Sequence, residues 1–433
     1  MPLVSLAGLI FGFLIASFNP DSVTFIGDAV DTFTGFLSTA APVAIFMILA
    51  PALHRLFGLG SKSSLAVYGI QWFMKRRLLA CVFAVIFTTI ALGLPLFPES
   101  FSIDALIKVM TETMGTLFVA LYTRPQFIAI WAAIAVAWIS LRWKPGQDLL
   151  EKMATGFESL GGWFQVLVPV MMILVGAYLF SLPELMNEGL IEGGFSVEEV
   201  GKILAERSVS IFGIRFGLAD PTSILLLYVA ASLLVGLACM IWHLMMLVYT
   251  KYRIPGFSIR QYFKEYWVRV YPLLWATSSE AIATPLNLYL IKKIYPDLKR
   301  EARRLAVGLG SYMNINGTTI NVFILAGIVS LMVGFQPTFL DLLIVIPVAF
   351  LLGYGVAGIP GELVLYATPI AALMGVNGAQ LALFSALYVT LQLGLPDSFR
   401  TGTNSTDNAP AALLINHYYE KSMGGVEEKG KTE

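Results

Sequence analysis

Long apolar runs separated by short polar connections make up most of the chain. A helix needs about 20 apolar residues to cross the hydrocarbon core of a bilayer. Runs of suitable length predict membrane helices near residues 3–18, 35–56, 78–97, 102–121, 125–142, 160–182, 222–250, 305–333 and 338–352. Two further runs, 362–395 and 409–419, are interrupted or short. The pattern predicts an all-α polytopic membrane protein.

Charged residues are scarce and unevenly distributed. The 433 residues are 57% hydrophobic and 13% charged, with 28 basic and 28 acidic residues, whereas an average soluble domain is about 25% charged. This composition excludes disordered, fibrous and nucleic-acid-binding proteins. Most basic residues lie in connections near 55–77, 142–152, 251–269, 292–304 and 421–431. The positive-inside rule and the parity of the crossings therefore predict a multi-pass plasma (inner) membrane protein with both termini in the cytoplasm.

Two segments have the form of re-entrant hairpins. Basic connections flank a short stretch centred on 276–285, so that stretch must enter and leave the membrane on the same side. A second stretch, 338–375, has the same form, with its tip at 353–361. Irregular backbone at membrane depth is tolerated only where protein or a water-filled cavity satisfies it. Two hairpins of opposite entry are typical of inverted-repeat transporters.

A polar stretch at 397–408 carries the residues that are most costly to bury. The piece after Pro410 is too short to span alone, which favours a long final helix over a hydrophilic loop. One helical face would hold Asp397, Arg400, Thr401, Asn404 and Asn408. Ionisable groups on such a face indicate a functional site. Arg400 suits a carboxylate and Asp397 an ammonium, which together describe a zwitterion with an extra carboxylate. Alternatively, the two side chains pair with each other.

Two other polar features stand at membrane depth. Residues 310–319 interrupt an apolar run with glycines, asparagines and threonines. Such a break exposes oxygens that suit an ion or a ligand, although a kink satisfied by its neighbours would have the same sequence. Glu280, at the first hairpin tip, suits either a protonation role or a helix-end salt bridge.

The sequence gives little support for an enzymatic function. The three histidines, His54, His243 and His417, are scattered, and no nucleophile is paired with a base. His243 lies in an apolar run, where a packed or hydrogen-bonded histidine is the simpler interpretation. We expect no cofactor and no metal beyond a coupling sodium ion, and the lipid bilayer and a small solute are the expected partners.

Four segments, taken in order, resemble the dicarboxylate/amino-acid:cation symporter family of glutamate and aspartate transporters. They are Thr277–Pro285, Asn314–Thr318, Gly355–Gly361 and Asp397–Asn404. The resemblance implies eight transmembrane helices plus two re-entrant hairpins, in a homotrimer that works as an elevator. It implies a scaffold domain at 1–75 and 102–215, a transport domain at 76–101 and 216–420, and a cytoplasmic tail at 421–433.

The resemblance also implies a binding site for an acidic amino acid. Arg400 would hold the side-chain carboxylate of aspartate or glutamate, and Asp397 its amino group. The remaining contacts would come from Ser278, Ser279, Thr318, Thr401 and Asn404, with a gate at Gly358, Ile359, Pro360 and Gly361. A C4-dicarboxylate transporter and a substrate-gated anion channel on the same fold are the alternatives.

The chain departs from the family at the residues expected to bind the coupling ion. Two sodium-binding aspartates of the family fall on Asn316 and Asn408, and Asp407 is displaced by one residue, which turns a helical side chain by about 100°. A polar cluster of the third helix is replaced by apolar residues near Val82, Val85 and Ile86. The candidate cation ligands are Gly310, Asn314, Asn316, Asn404, Asp407 and Asn408. Sodium coupling, proton coupling through Glu280 and ion-independent exchange all stay open.

Overall fold

A computed structural model shows a predominantly helical protein. It describes residues 2–18, 64–97, 125–153, 205–277, 280–352, 363–376 and 378–429, together with isolated positions between 43 and 54, 111 and 123, and 173 and 180. The helical class predicted from the apolar runs is confirmed over these residues.

The described elements follow one another in three groups. The first comprises α1 (Pro2–Phe18), α2 (Ser64–Leu92) and α3 (Pro125–Ser140), followed by a helical stretch at 144–153. An antiparallel strand pair comes next, with β1 at Ser208–Ile211 and β2 at Ile214–Gly217. The last group comprises α4 (Pro221–Arg253), α5 (Ile259–Gln261), a π-helix (Tyr262–Trp267), α6 (Val268–Thr277), α7 (Glu280–Ile294), α8 (Arg300–Met313), α9 (Asn316–Met332), α10 (Phe339–Ile344), α11 (Ile346–Leu352), α12 (Val364–Met374), α13 (Gly378–Gln392), α14 (Leu395–Thr406) and α15 (Asn408–Lys429).

Helix α9 is the centre of the larger apolar core. Nearly all of its side chains are buried, as expected for a helix that is apolar on every side. It packs against α2, α4, α13 and α14. A second apolar core lies between α6, α7, α8 and α15, with Tyr262 and Tyr266 of the π-helix inside it. Helix α14 contacts elements of both cores, so it is held from several sides.

Helix α4 has the clearest character of a membrane helix. Asp220 caps it by accepting from the backbone N–H groups of Thr222 and Ser223, at 3.2 and 3.0 Å. Among the described residues it is the one helix both long and apolar enough to cross a bilayer. Five of its large apolar side chains, each between 43% and 61% exposed, form a stripe at Leu226, Leu233, Leu237, Leu244 and Val248. Such a stripe suits a lipid or protein environment rather than water.

Two predicted interruptions are present in the structure. Asn314 and Ile315 separate α8 from α9, so the apolar run at 305–333 forms two helices. Helices α14 and α15 are separated only at Asp407, so the polar stretch at 397–408 is helical rather than a loop. The tips of the two hairpins, 278–279 and 353–362, lie outside the described residues.

The start of α2 corrects the sequence interpretation. The predicted run began at residue 78 and left Lys75, Arg76 and Arg77 in a cytoplasmic connection, but the helix begins at Ser64 and contains all three. Arg76 and Arg77 are buried, and Arg77 donates to the carbonyl oxygen of Ala349 at 2.9 Å. The prediction was wrong because a local charge count carries no information about a buried partner.

The strand pair at 208–217 was not predicted either. Its turn residues, Phe212 and Gly213, have φ values of 49° and 82°, which is the geometry of a type I′ hairpin. The N–H of Phe212 donates to the carbonyl oxygen of Ala91 in α2 at 2.7 Å. The domain boundary proposed between residues 215 and 216 falls inside β2.

The closest approach of α9 to α14 yields a stability prediction. A Cβ on Gly317 would lie 2.4 Å from the carbonyl oxygen of Arg400, which is backbone and cannot swing away. We expect Gly317→Ala to destabilise the protein by about 1–3 kcal/mol and to lower the melting temperature in detergent by several degrees. Gly308→Ala in α8 is the matched control, because its Cβ meets nothing within 4 Å. Equal melting temperatures for the two variants would contradict the close approach.

Candidate functional site

The candidate site is built on α14, which is buried along almost its whole length. Helices α4, α6 and α9 pack around it. Apolar sequence would be expected at so buried a position, yet α14 carries mostly hydroxyl, amide and charged side chains. Each of these groups needs a partner, because an unsatisfied buried polar group costs about 1–3 kcal/mol. The partners define the site.

Asp397 and Arg400 form an ion pair across one turn of α14. Nε of Arg400 donates to Oδ1 of Asp397 at 2.6 Å, and Nη2 lies 2.5 Å from the same oxygen. Both residues are 1% exposed. Nε2 of Gln392 lies 3.5 Å from this oxygen. The structure therefore brings together the two ionisable residues that the sequence placed on one face, and it shows them paired with each other.

Thr318 and Asn404 connect this ion pair to α9. Oγ1 of Thr318 accepts from Nη1 of Arg400 and from Nδ2 of Asn404, each at 2.9 Å. Oδ1 of Asn404 accepts from the backbone N–H groups of Gly317 and Thr318, at 2.7 and 3.3 Å. These amides lie in the first turn of α9, where no helical carbonyl is available to them. Asn404 therefore caps α9 from a different helix.

Glu280 is also drawn into this network. It is the first residue of α7 and is 3% exposed, and its Oε1 accepts from Nδ2 of Asn404 at 3.1 Å. A carboxylate in the first turn of a helix is stabilised by the helix dipole. The first hairpin thus contributes a third buried carboxyl group, beside Asp397 and Asp407, to the surroundings of α14.

The candidate cation ligands form a chain of amides. Nδ2 of Asn316 donates to Oδ1 of Asn314 at 2.8 Å. Nδ2 of Asn314 donates to Oδ1 of Asn408 at 2.9 Å and to the backbone carbonyl of Asn404 at 2.8 Å. Gly310 faces Asn408, since a Cβ there would lie 2.2 Å from Oδ1. The cluster holds neutral oxygens, and most of them are already used by neighbouring amides.

Asp407 belongs to a different cluster. Its Oδ2 accepts from Nη2 of Arg76, and its Oδ1 lies 2.5 Å from Nδ1 of His243. Nε2 of His243 lies 3.1 Å from the hydroxyl oxygen of Tyr262, and that hydroxyl donates to the carbonyl oxygen of Thr406 at 2.8 Å. The four side chains are at most 3% exposed. The one-residue shift of the aspartate thus directs it to a guanidinium and an imidazole instead of to the amides.

Sequence reasoning missed three members of this second cluster: Arg76, His243 and Tyr262. His243 was expected to be packed or hydrogen-bonded, which is what the structure shows. A signal was present for Arg76 and His243, because an arginine or a histidine inside a membrane helix needs a partner. The identity of that partner depends on α2, α4 and α14 packing together, which no local pattern encodes.

The remaining predicted residues fall into two sets. Thr401 is buried on α14, and Val85 of α2 is buried while Val82 and Ile86 are 37% and 46% exposed. The hairpin-tip residues lie outside the described part of the chain, namely Ser278, Ser279, Gly358, Ile359, Pro360 and Gly361.

Comparison with known proteins agrees with this architecture. The sequence model of the sodium:dicarboxylate symporter family matches residues 209–418, the stretch that holds every residue of both clusters except Arg76. Residues 209–418 belong to that family. The resemblance read from the four motifs is thereby confirmed. Symporters of this family are membrane transporters, which agrees with the apolar helix α4.

A curated relative resembles the chain beyond the family domain. The serine/threonine transporter SstT of Bifidobacterium adolescentis is 23% identical over 436 residues, a match that covers 95% of this chain and 88% of that protein. The similarity therefore extends to α2 and α3. Both comparisons support a transporter and leave the substrate of this chain open.

The contact between Asn404 and Glu280 provides a test of the site. Asn404→Asp keeps the acceptor for the amides of α9 but places a second carboxylate beside Glu280, with repulsion on the order of 4 kcal/mol. We expect this variant to lose thermal stability at pH 7. Adding Glu280→Gln should restore most of it, because the introduced amide can donate to the carboxylate. A double variant no more stable than Asn404→Asp alone, measured by thermal unfolding in detergent, would refute the contact.

Proposed function

We propose that the protein is a secondary active transporter of acidic amino acids, aspartate or glutamate, in the plasma membrane. The buried ion pair of Asp397 and Arg400, linked to Thr318 and Asn404 beside a broken helix, carries the proposal. Its polarity matches a ligand with an ammonium at one end and a carboxylate at the other. Membership of a symporter family supports transport of such a ligand rather than its chemical conversion.

The ion pair explains how a charged solute can bind in a buried site. Each of the two side chains neutralises the other in the structure, so neither charge is left alone in the interior. A zwitterion can place its ammonium on Asp397 and its side-chain carboxylate on Arg400, which replaces one ion pair by two. A C4-dicarboxylate has no ammonium and would leave Asp397 unpaired, which is costly in a buried site.

We extend the proposal to an elevator movement in a homotrimer. Helices α4, α9 and α14 share the larger core and would travel together with the hairpins as a transport domain. The exposed apolar stripe of α4 is a suitable surface to slide against a scaffold or lipid. Eight membrane crossings with both termini in the cytoplasm complete this arrangement.

A hydroxylated neutral amino acid, serine or threonine, is the second candidate substrate. Glu280 adds a carboxyl group within hydrogen-bond distance of Asn404, and Arg400 is already paired. If Glu280 is ionised, the three groups sum to one negative charge, which favours a neutral zwitterion over an acidic one. The relative from Bifidobacterium adolescentis is named for these two substrates.

The cluster of amides at Asn314, Asn316 and Asn408 also bears on which ion is coupled to transport. Asn316 Oδ1 is buried and, among the described residues, has no hydrogen-bond partner, so it is available to a cation. Amide and carbonyl oxygens bind sodium without a carboxylate, but the attraction of a formal charge is lost. We therefore propose that sodium contributes little to substrate affinity, and that a proton or a counter-substrate balances transport.

Replacing Arg400 distinguishes the two substrate classes. We expect Arg400→Gln to weaken aspartate binding by about 10- to 100-fold, since a charge-assisted hydrogen bond contributes about 1.5–3 kcal/mol. Serine binding should change less than threefold. Competition against radiolabelled uptake in proteoliposomes measures both, and saturable uptake with counterflow separates a transporter from a channel.

The controls address the buried aspartate that Arg400→Gln would leave unpaired. Asp397→Asn with Arg400→Gln removes both charges, so this double variant should fold and still fail to bind aspartate. Asp397→Asn alone should weaken amino acids far more than succinate. Unchanged aspartate affinity in Arg400→Gln would refute the assignment of the side-chain carboxylate.

Sodium titration tests the role of the amide cluster. We expect substrate affinity to change less than threefold between zero and saturating sodium at constant ionic strength. Among the described residues, no carboxylate joins the amides of Asn314, Asn316 and Asn408. The measurement is substrate binding with choline as the replacement cation. A dependence of tenfold or more would show that neutral oxygens are enough for sodium coupling.

A further inference from the structure

The hydrogen bonds in the cluster around Asp407 require a definite number of hydrogens, and counting them points to a second site. Residue 410, four positions after Thr406, is a proline and has no N–H to offer the carbonyl oxygen of Thr406. The hydroxyl of Tyr262, 2.8 Å away, supplies the missing donor. A phenol has one hydrogen, so this contact uses it, and the oxygen of Tyr262 can then only accept from His243.

The contact of the other ring nitrogen of His243, Nδ1, also requires a hydrogen on the ring. Nδ1 lies 2.5 Å from Oδ1 of Asp407, and Nη2 of Arg76 donates to the other oxygen of that carboxylate. A carboxylate held by a guanidinium is ionised and can only accept. A hydrogen bond to Asp407 then requires a hydrogen on Nδ1, and a hydrogen bond to Tyr262 requires one on Nε2. The contacts are all satisfied at once only when both ring nitrogens are protonated.

From this geometry we infer that His243 is a proton-binding site of the transporter, held between Asp407 and Tyr262. A proton from the water on the accessible side would add to Nε2, and the hydrogen of Tyr262 would turn from Nε2 to the carbonyl oxygen of Thr406. Release reverses both movements, so no bond other than N–H is made or broken. With Arg76 and Asp407 cancelling each other, the loaded cluster carries one positive charge and the empty one none.

The position of the cluster links the proton to the substrate. Thr406 and Asp407 end the helix whose preceding turns hold Arg400 and Asn404. When the proton leaves, the carbonyl oxygen of Thr406 loses its donor, so the end of α14 is bonded differently in the two states. The coupling of the proton to the substrate rests on the proposed transport function. The protonation of His243 rests only on the number of hydrogens that its contacts require.

The groups facing His243 define what else could respond to pH. Asp407 approaches from the junction of α14 and α15, Arg76 from α2 and Tyr262 from the π-helix. Two further titratable side chains lie nearby: Tyr266, whose ring is tilted against that of Tyr262 with centroids 5.3 Å apart, and Cys239, one turn before His243 on α4. Of the groups named here, histidine is the type of side chain that ordinarily titrates between pH 5 and 8.

The chain has only three histidines, which allows a direct measurement. In a variant carrying His54→Gln and His417→Gln, nitrogen NMR of the purified protein in nanodiscs reports His243 alone. We expect both ring nitrogens of His243 to carry a hydrogen, as the contacts to Asp407 and Tyr262 require. In Tyr262→Phe, where the acceptor for Nε2–H is gone, the doubly protonated fraction measured at the same pH should fall by at least tenfold. A neutral imidazole throughout pH 5–8 would overturn the site.

Coupling is measured separately, with a pH-sensitive dye trapped in proteoliposomes. We expect amino-acid uptake to acidify the lumen, and His243→Asn, whose amide can still donate to Asp407, to take up substrate with at least tenfold less acidification. His417→Gln is the matched control and should behave as the parent protein. Should His243→Asn fail to fold, Tyr262→Phe should show the same loss of acidification.

The outcomes separate the two proposals. Proton movement of wild-type size in His243→Asn, or wild-type uptake without acidification, would overturn the coupling. Absence of any amino-acid uptake by the wild-type protein would refute the proposed transport function, while the NMR result for His243 would stand on its own.

Discussion

Taking a carboxylate or a guanidinium out of water costs several kcal/mol, and the cost is recovered only beside a well-placed partner. The polar helix α14 shows how this constraint shapes the molecule. Asp397 is paired with Arg400 on the same helix, whereas Asp407 is paired with Arg76 on α2. The first pair lies within one turn of α14, and Arg400 also donates to Thr318 of α9. The second pair joins two helices, so it fixes where α14 ends relative to α2.

The two pairs lie about 15 Å apart, because ten residues of helix separate the aspartates at 1.5 Å each. Asn404 lies between them and contacts both α7 and α9, through Glu280 and Thr318. It also caps the first turn of α9. A change at either end of α14 is therefore transmitted through a helix whose middle is bonded to the first hairpin and to the broken helix.

The sequence predicted the parts of this arrangement that depend on local pattern. The shared face of Asp397, Arg400 and Asn404 and the break before α9 follow from helical spacing and composition alone. The role of Arg76 could not be predicted in this way. The positive-inside rule places a basic cluster beside the membrane from local charge alone, and the carboxylate that pairs with Arg76 lies more than 300 residues later. The strand pair at 208–217 was missed because its stabilising contact, with Ala91, is also far away in sequence.

Moving one aspartate by a single position changes the chemistry available to the transporter. Asn408 joins an amide chain that is neutral at every pH, while Asp407 is turned toward the guanidinium of Arg76 and the imidazole of His243. A carboxylate among the amides would attract a cation from solution, and its affinity would depend on the sodium concentration. A carboxylate held by Arg76 already has a cation attached to the chain, so under the proposed proton coupling the charge it would still help to bind is a proton on His243. On that proposal, the same fold would exchange a metal ion for a proton as its coupling species without any change in the turn of α14 that holds Asp397 and Arg400.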